Sequence, residues 1–176
     1  TWFLAARDTW GVYVEGIQGS HEPGWHRGVT FAAPIWDDQG RFRGVVATHI
    51  DIAEVKEVFV RTANMITGAG GPATTIEWQL LANDGTVITE STSQDDGTVN
   101  VKRLGLLSAL RSDSTEPGYV EEEHQRRHVP VVTGYAHTRG AGTFAGLDWG
   151  ILLRMDRDDI LAPLDVLAWK VGLAVL

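Results

Sequence analysis

Residues 28–60 read GVTFAAPIWDDQGRFRGVVATHIDIAEVKEVFV, and this stretch decides the fold. Two apolar runs rich in β-branched residues, Val29–Ile35 and Phe42–Ile50, flank the turn residues Asp37-Asp38-Gln39-Gly40. Turn formers between two extended runs bring those runs back side by side, so the pattern predicts an antiparallel hairpin. Directly afterwards Ile52, Val55 and Phe59 recur at helical spacing. Asp51 and Glu54 have the spacing of a capping box, in which an acidic side chain accepts the first free backbone N–H groups of a helix. The order is strand, turn, strand, Asp, helix.

Working outward, Thr67–Pro72 (TGAGGP) breaks all periodicity and reads as a linker. Beyond it, Ile76–Ala82 and Thr86–Glu90 flank Asn83-Asp84-Gly85, a strong hairpin signal because glycine accepts the positive φ such a turn needs. Ser91–Asn100 is polar and loop-like. Val101–Arg111 places Val101, Leu104, Leu107 and Leu110 on one face and predicts a short helix. Three strands are expected at Gly118–Glu123, Val129–His137 and Leu147–Met155, and Asp156 opens a last helix. The order of the opening stretch thus recurs: aligning Asp51 with Asp156 puts Val46 on Ile151, Ile50 on Met155 and Val55 on Ile160. Upstream, Gly11–Gly16 (GVYVEG) resembles Gly118–Glu123 (GYVEEE). This is an approximate tandem duplication of small α/β units, the first lacking its leading elements. The expected boundaries are 1–66 for the first unit, 67–74 for the linker, 75–158 for the second unit and 159–176 for a C-terminal helix.

The 176 residues carry 15 Lys+Arg against 23 Asp+Glu, a formal net charge of -8, which disfavours a nucleic-acid partner. Apolar residues at 43% and charged residues at 22% exclude wholesale disorder and a polytopic membrane protein. With no cysteine there is no disulfide framework, thiolate metal site or cysteine nucleophile. The chain begins at Thr1 without an initiator Met and is expected to be a piece of a longer protein. Ile160–Leu176 carries only Asp165 and Lys170 as charges. It is short of the roughly 20 residues a bilayer span needs. Trp169 and Lys170 suit a helix entering the headgroup region, while an amphipathic helix packed on the domain is the alternative.

Active-site chemistry finds little support. His124 and His128 in HQRRH have i, i+4 spacing, but Gln125 stands where a zinc helix carries its glutamate base and Arg126 and Arg127 put positive charge beside any would-be cation, so a solvated, charged hairpin tip is expected. His21 and His26 lie in SHEPGWHRG without further ligands nearby in sequence. Serines at 20, 91, 93, 108, 112 and 114 sit in no Gly-x-Ser-x-Gly elbow. Gly68–Gly71 (GAGG) is not followed by Lys-Ser/Thr. Asp37-Asp38, Asp95-Asp96 and Asp158-Asp159 fall in turns or first helical turns. No enzyme activity, no metal and no cofactor is expected.

The informative cluster is aromatic. Trp2 and Phe3 open a helix-like stretch with Ala6, followed by Trp10, Tyr13 and Trp25. Strand alternation puts His49 and Asp51 on one face of the second hairpin strand, and Thr30, Ala32 and Pro34 on one face of the first. Apolar walls with a few polar anchors make a small-molecule pocket, and aromatic faces hold ammonium groups. The plainer account makes Trp2, Phe3 and Trp10 core residues and Asp51 a cap only. In the second unit Trp149 reads as the core anchor of the last strand and Tyr119 and Tyr135 as packing residues, with no polar anchor comparable to Asp51.

These residues carry a resemblance. GVTFAAPIWDDQGRFRGVVATHIDIAEV resembles the second half of a Cache sensor module, with its Pro-Ile, Asp, Gly, Gly-Val-Val and Asp-Ile pattern. GLDWGILLRMDRDDILAPL looks like the end of the membrane-proximal half of a double Cache (dCache) domain. The likeness implies an α+β fold of tandem PAS-like units, antiparallel sheets flanked by helices, with the C-terminal helix leading towards a membrane span. It implies the extracytoplasmic sensor of a histidine kinase, chemoreceptor or nucleotide cyclase in the cell membrane. Ligand in the first, membrane-distal unit would shift or rotate the last helix, and a homodimer is implied. Amino-acid-binding members carry an Arg-x-Trp-Tyr run, a later Tyr and an Asp before the helix. Here Trp2 matches the Trp, Phe3 replaces the Tyr, Tyr13 is the further aromatic and Asp51 matches the Asp, while the Arg falls before Thr1. The implied ligand-binding residues are Trp2, Phe3, Tyr13, His49 and Asp51, for an amino acid, amine or carboxylate. The alternative function is a spacer and dimerisation module that binds no ligand.

Overall fold

The hairpin of residues 28–51 forms as its pattern dictates. In the computed structural model, which describes residues 2–18, 27–68, 75–92, 97–140, 144 and 146–164, β2 (Gly28–Trp36) and β3 (Phe42–Asp51) pair antiparallel. Gly28 lies opposite Asp51, Thr30 opposite His49 and Ala32 opposite Ala47. The turn closes because Asp37 accepts the Gln39 and Arg41 N–H groups at 3.0 and 2.9 Å while Gly40 takes φ +71°. β1 (Tyr13–Gln18) pairs with the free edge of β2, giving the order β1-β2-β3. A short helix, α1 (Trp2–Asp8), buries Ala6 and sets the Phe3 ring edge-on to Phe42. The long helix α2 (Ile52–Gly68) begins where Asp51 Oδ1 accepts the Ala53 N–H at 2.8 Å, as an N-cap should.

The second sheet is larger. Its strands are β4 (Glu77–Leu81), β5 (Val87–Glu90), β6 (Gly118–Glu123), β7 (Pro130–His137) and β8 (Gly150–Asp156), ordered β5-β4-β8-β7-β6 and antiparallel throughout. A helix at 157–164, α4, follows β8. The succession β6-β7-β8-α4 repeats β1-β2-β3-α2 in order and in register. Glu15, Thr30 and His49 form one cross-strand row in the first sheet, and Val120, Thr133 and Arg154 form the equivalent row in the second. The fold is α+β with antiparallel sheets and helices.

The chain divides into two compact units, 1–58 with 141–144, and 59–140 with 145–176. The division falls within α2 rather than at the glycine-rich 67–74. Phe59 stacks on Trp78 at 4.8 Å, so the later part of the helix packs with the second unit. Thr67 and Gly68 are still helical, and 69–74 lie outside the described residues. The second unit's core is Leu81, Val87, Val101, Leu106, Ala109 and Leu152, all on or over one face of its sheet.

One helix differs from expectation. Residues 101–105 are turns, and only α3 (Leu107–Arg111) is helical. Gly105 takes φ +80° and breaks the predicted run, which rotates the buried set to Val101, Leu106 and Ala109 and exposes Leu104, Leu107 and Leu110. Sheet residue Glu122 then caps the helix, accepting the Ser108 N–H at 3.0 Å and its hydroxyl at 2.6 Å. At the chain's other end, no helix among the described residues is long and apolar enough to cross a membrane, and 165–176, with Trp169 and Lys170, lie outside them.

Leu106 and Leu104 separate the observed packing from the periodic one. In urea unfolding, Leu106→Ala should lose about 2–4 kcal/mol, whereas Leu104→Ala should lose less than about 1 kcal/mol. The reverse order would mean the predicted helical face is the buried one.

Candidate functional site

In the first unit, register gathers part of the predicted site. Tyr13, Thr30, Ala32, Ala47, His49 and Asp51 all point to one face of the three-stranded sheet, because cross-strand partners share a face and side chains alternate along each strand. His49 Nδ1 and Thr30 Oγ1 lie 3.1 Å apart. The imidazole also lies over Gly28, where an added Cβ would sit 2.6 Å from Nε2, so this position needs a residue without a side chain. Asp51 follows at the same end of the strand, one carboxylate oxygen engaged as the α2 cap.

Trp2 and Phe3 lie elsewhere. Their rings meet edge-on at 6.0 Å, and Phe3 meets Phe42 at 6.1 Å, which joins them to an aromatic series running through Trp36 to Trp10. Phe42 and Asp51 are opposite ends of β3. At about 3.3 Å per residue those ends stand about 30 Å apart along the strand. The structure therefore groups His49, Asp51 and Thr30, holds Tyr13 on the same face, and places Trp2 and Phe3 with the distant aromatics. Trp10 is 80% exposed and is no core residue; it stacks on Trp36 at 4.6 Å. Trp25, His21 and His26 lie outside the described residues. A shallow apolar hollow of about 180 Å³, lined by Val12, Phe31, Val46 and Thr48, is the first unit's described cavity.

The second unit corrects two expectations. In the segment His124–His128, Gln125 to His128 are exposed as a solvated tip should be, but His124 is buried, and its Nε2 lies 2.7 Å from Glu77 Oε2. The backbone N–H groups of Arg126 and Arg127 both point to His124 Nδ1 at 3.2 Å, which leaves Nε2 as the nitrogen that donates to Glu77. Arg126 reaches buried Glu90 at 2.5 Å, and Arg127 grips Asp156 with both terminal nitrogens while touching Glu77 at 3.1 Å. The second correction concerns polar anchors, which this unit has in abundance. Arg154, 7% exposed, sits on β8 between Thr133 and Glu77. Its Nε lies 3.4 Å from Thr133 Oγ1, one terminal nitrogen 3.3 Å from Gln79 Oε1, and the other 4.0 Å from Glu77. Burial holds its pKa below the usual arginine value, against the pull of Glu122, Glu77 and Glu90.

The sequence held a signal for this cluster. The same offset that aligns Asp51 with Asp156 aligns His49 with Arg154, and each basic residue faces a threonine across the strand pair. Tyr135 fills the slot over Gly118, whereas in the first unit Tyr13 stands on the opposite strand facing Ala32. Tyr119 is exposed and does not pack as expected, and Trp149 is half-buried rather than a core anchor.

Solved structures share this architecture. The chain aligns with the ligand-binding domain of the Pseudomonas fluorescens chemoreceptor CtaA in complex with L-serine (TM-score 0.57, 14% identity, 89% of this chain and 60% of that one). It aligns with the ligand-binding domain of the Pseudomonas aeruginosa amino acid chemoreceptor PctB in complex with L-Gln (TM-score 0.54, 20% identity, 96% and 63%). It also aligns with the periplasmic sensory domain of Campylobacter jejuni chemoreceptor Tlp1 (TM-score 0.57, 14% identity, 89% and 53%). Extracellular domains assigned to histidine kinases superpose equally well. This chain shares the fold of these extracellular and periplasmic domains. This chain spans about three-fifths of the length of such neighbours, 60% of CtaA and 63% of PctB. No protein-family model and no curated protein matches it.

The Asp156–Arg127 pair has a pH signature. The hydrogen bonds from Arg127 hold the Asp156 carboxyl below the usual carboxylate range, so the folded chain binds that proton less tightly than the unfolded one. The resulting stability is present above about pH 4 and fades as pH falls through the lowered folded value. Because both side chains are partly exposed, it amounts to no more than about 1 kcal/mol. The melting-temperature gap between wild type and Asp156→Asn should therefore be positive at neutral pH and shrink progressively as pH falls below the usual aspartate range; a gap constant with pH would contradict the pairing.

Proposed function

We propose that this chain is the small-molecule sensor region of a transmembrane signalling receptor, of the dCache type, with a ligand site on the first unit. What supports this is the fold itself: known structures with the same arrangement of strands and helices are extracellular or periplasmic sensor domains, some solved with amino acids bound. On this proposal Asp51 pairs with a ligand amine, His49 and Thr30 form its polar flank, and Tyr13 covers the apolar part. Trp2 and Phe3, on the far aromatic series, would brace the sheet or meet a long ligand rather than touch its charged end. Binding would pass to a membrane helix beyond α4 as a small displacement, in an anchored, dimeric receptor. The output partner would be a kinase, chemotaxis signalling or cyclase domain elsewhere in the protein.

Asp51 has two duties to separate, since it also caps α2. Asn caps as well as Asp but has no charge, so Asp51→Asn keeps the helix start and removes only the counter-ion. In thermal-shift screening against amino acids and amines, a ligand at about 100 times its Kd should stabilise the wild type by about 2.7 kcal/mol. Asp51→Asn should cut that affinity by about tenfold or more. If no compound stabilises the chain, or Asp51→Asn binds as wild type, the first-unit site is wrong and a spacer role stands in its place.

A further inference from the structure

We infer that the second unit carries a ligand site of its own, a cavity built around Arg154 that takes a small organic carboxylate. The cavity measures about 270 Å³, and its lining joins apolar Val99, Val101 and Leu104 to polar and charged groups that include Gln79, Glu90, His124, Arg126 and Arg154. That is near the lower end for small-molecule sites, and the mixture of apolar wall and converging polar groups is their usual make-up.

The charge pattern selects the ligand. Glu90 is 1% exposed and already met, by Arg126 at 2.5 Å and by the Gln79 side-chain amide at 2.7 Å. Glu77 is met by His124 and Arg127. Arg154 is the buried charge with the loosest company: two neutral oxygens at 3.3 and 3.4 Å, and a carboxylate no closer than 4.0 Å. Charge-assisted hydrogen bonds of arginine to carboxylate run at about 2.7–2.9 Å, so both neutral contacts are long and the ionic one is longer still. A buried cation in that position is stabilised by an incoming anion and gains nothing from an ammonium group. The planar guanidinium offers a fork that fits a carboxylate, and the valine and leucine wall favours an organic tail over an inorganic ion.

The repeat supports the same position independently. Arg154 occupies the place in its sheet that His49 occupies in the first, each facing a threonine from the neighbouring strand. In the second unit that row lies beside a formed cavity, with α3 and the turns at 101–105 providing the apolar cover over the rest of the face.

Titration calorimetry of the whole chain with propionate tests this. A single saturable site with a Kd of about 1 mM or tighter is expected, with propionamide and propylammonium at least about tenfold weaker. Arg154→Met removes the charge at similar length and should abolish the heat. Should that variant not fold, Leu104→Trp fills the apolar side from an exposed position, leaves the charged residues in place and should abolish binding too. Asp51→Asn, on the first unit, should bind propionate as wild type does, which separates this site from the one proposed above. The inference fails if propionate and other two- to five-carbon monocarboxylates give no saturable heat. It fails equally if the amide binds as well as the acid, or if binding survives Leu104→Trp unchanged.

Discussion

The second unit is organised around the carboxylate of Glu77. It receives the His124 ring at 2.7 Å and Arg127 at 3.1 Å, and it faces Arg154 at 4.0 Å. Taking such groups out of water costs several kcal/mol each unless every charge is answered, so the cluster closes only if three separate segments arrive together. β4 brings Glu77 and Gln79, β8 brings Arg154 and Asp156, and the turn after β6 brings His124, Arg126 and Arg127. The order β5-β4-β8-β7-β6 is the arrangement that sets those three side by side. Apolar burial under α3 supplies stability at the other end of the same face, while the ionic end fixes which strand lies next to which.

A duplicated frame makes the two units comparable residue by residue. Both end a three-strand succession on an aspartate that leads into a helix, yet the aspartates do different work. Asp51 caps α2 with its own carboxylate, whereas Asp156 is gripped by Arg127 from the turn after β6. Both place a basic residue two positions earlier, opposite a threonine. In the first unit that residue is a histidine folded over Gly28, half-buried and beside the cap. In the second it is an arginine sunk in a face that has its own lid of turns and helix. One position of the repeat has thus been given two chemistries, an imidazole in the first unit and a planar, permanently charged guanidinium in the second.

Much of this was legible in the sequence because it depends on local rules. The hairpin at Asp37–Gly40, the turn at Asn83–Gly85, the helix start at Asp51 and every strand of the repeat follow from alternation and turn chemistry between near neighbours. The helix at 101–111 was misjudged because an apolar period of three to four was allowed to outweigh one glycine, and at Gly105 the backbone takes a positive φ that ends the run. His124 looked like a solvated tip for a different reason. Its burial depends on Glu77, 47 residues away, and no local pattern encodes that partner. Arg154 lay between apolar neighbours in GILLRMD, where an alternating strand has an inward position to fill; the charge there was the signal, and only the offset of the repeat would have singled it out. The grouping of Trp2 and Phe3 with Asp51 came from the resemblance to a family motif, and a motif along the chain carries no measure of the length of β3, whose far end holds the aromatics.

The overall charge of -8 bears on how anything acidic is recognised. At physiological ionic strength such a surface field decays over about 8 Å, so it slows the approach of an anion without reaching into a desolvated cavity. Recognition at Arg154 must then be short-range: the guanidinium is strong there because little water competes for it, and it offers no long-range attraction to anions in bulk. The same surface favours cationic and zwitterionic molecules near the first unit, where Asp51 is only half-buried. If both proposed sites are occupied, they would divide small molecules by charge, the first drawing its ligand partly through the field and the second accepting its own only on contact. For a carboxylate at Arg154 this puts the discrimination in the dissociation rate, since the residence time is set by the contacts made inside the cavity and the approach is common to all small anions.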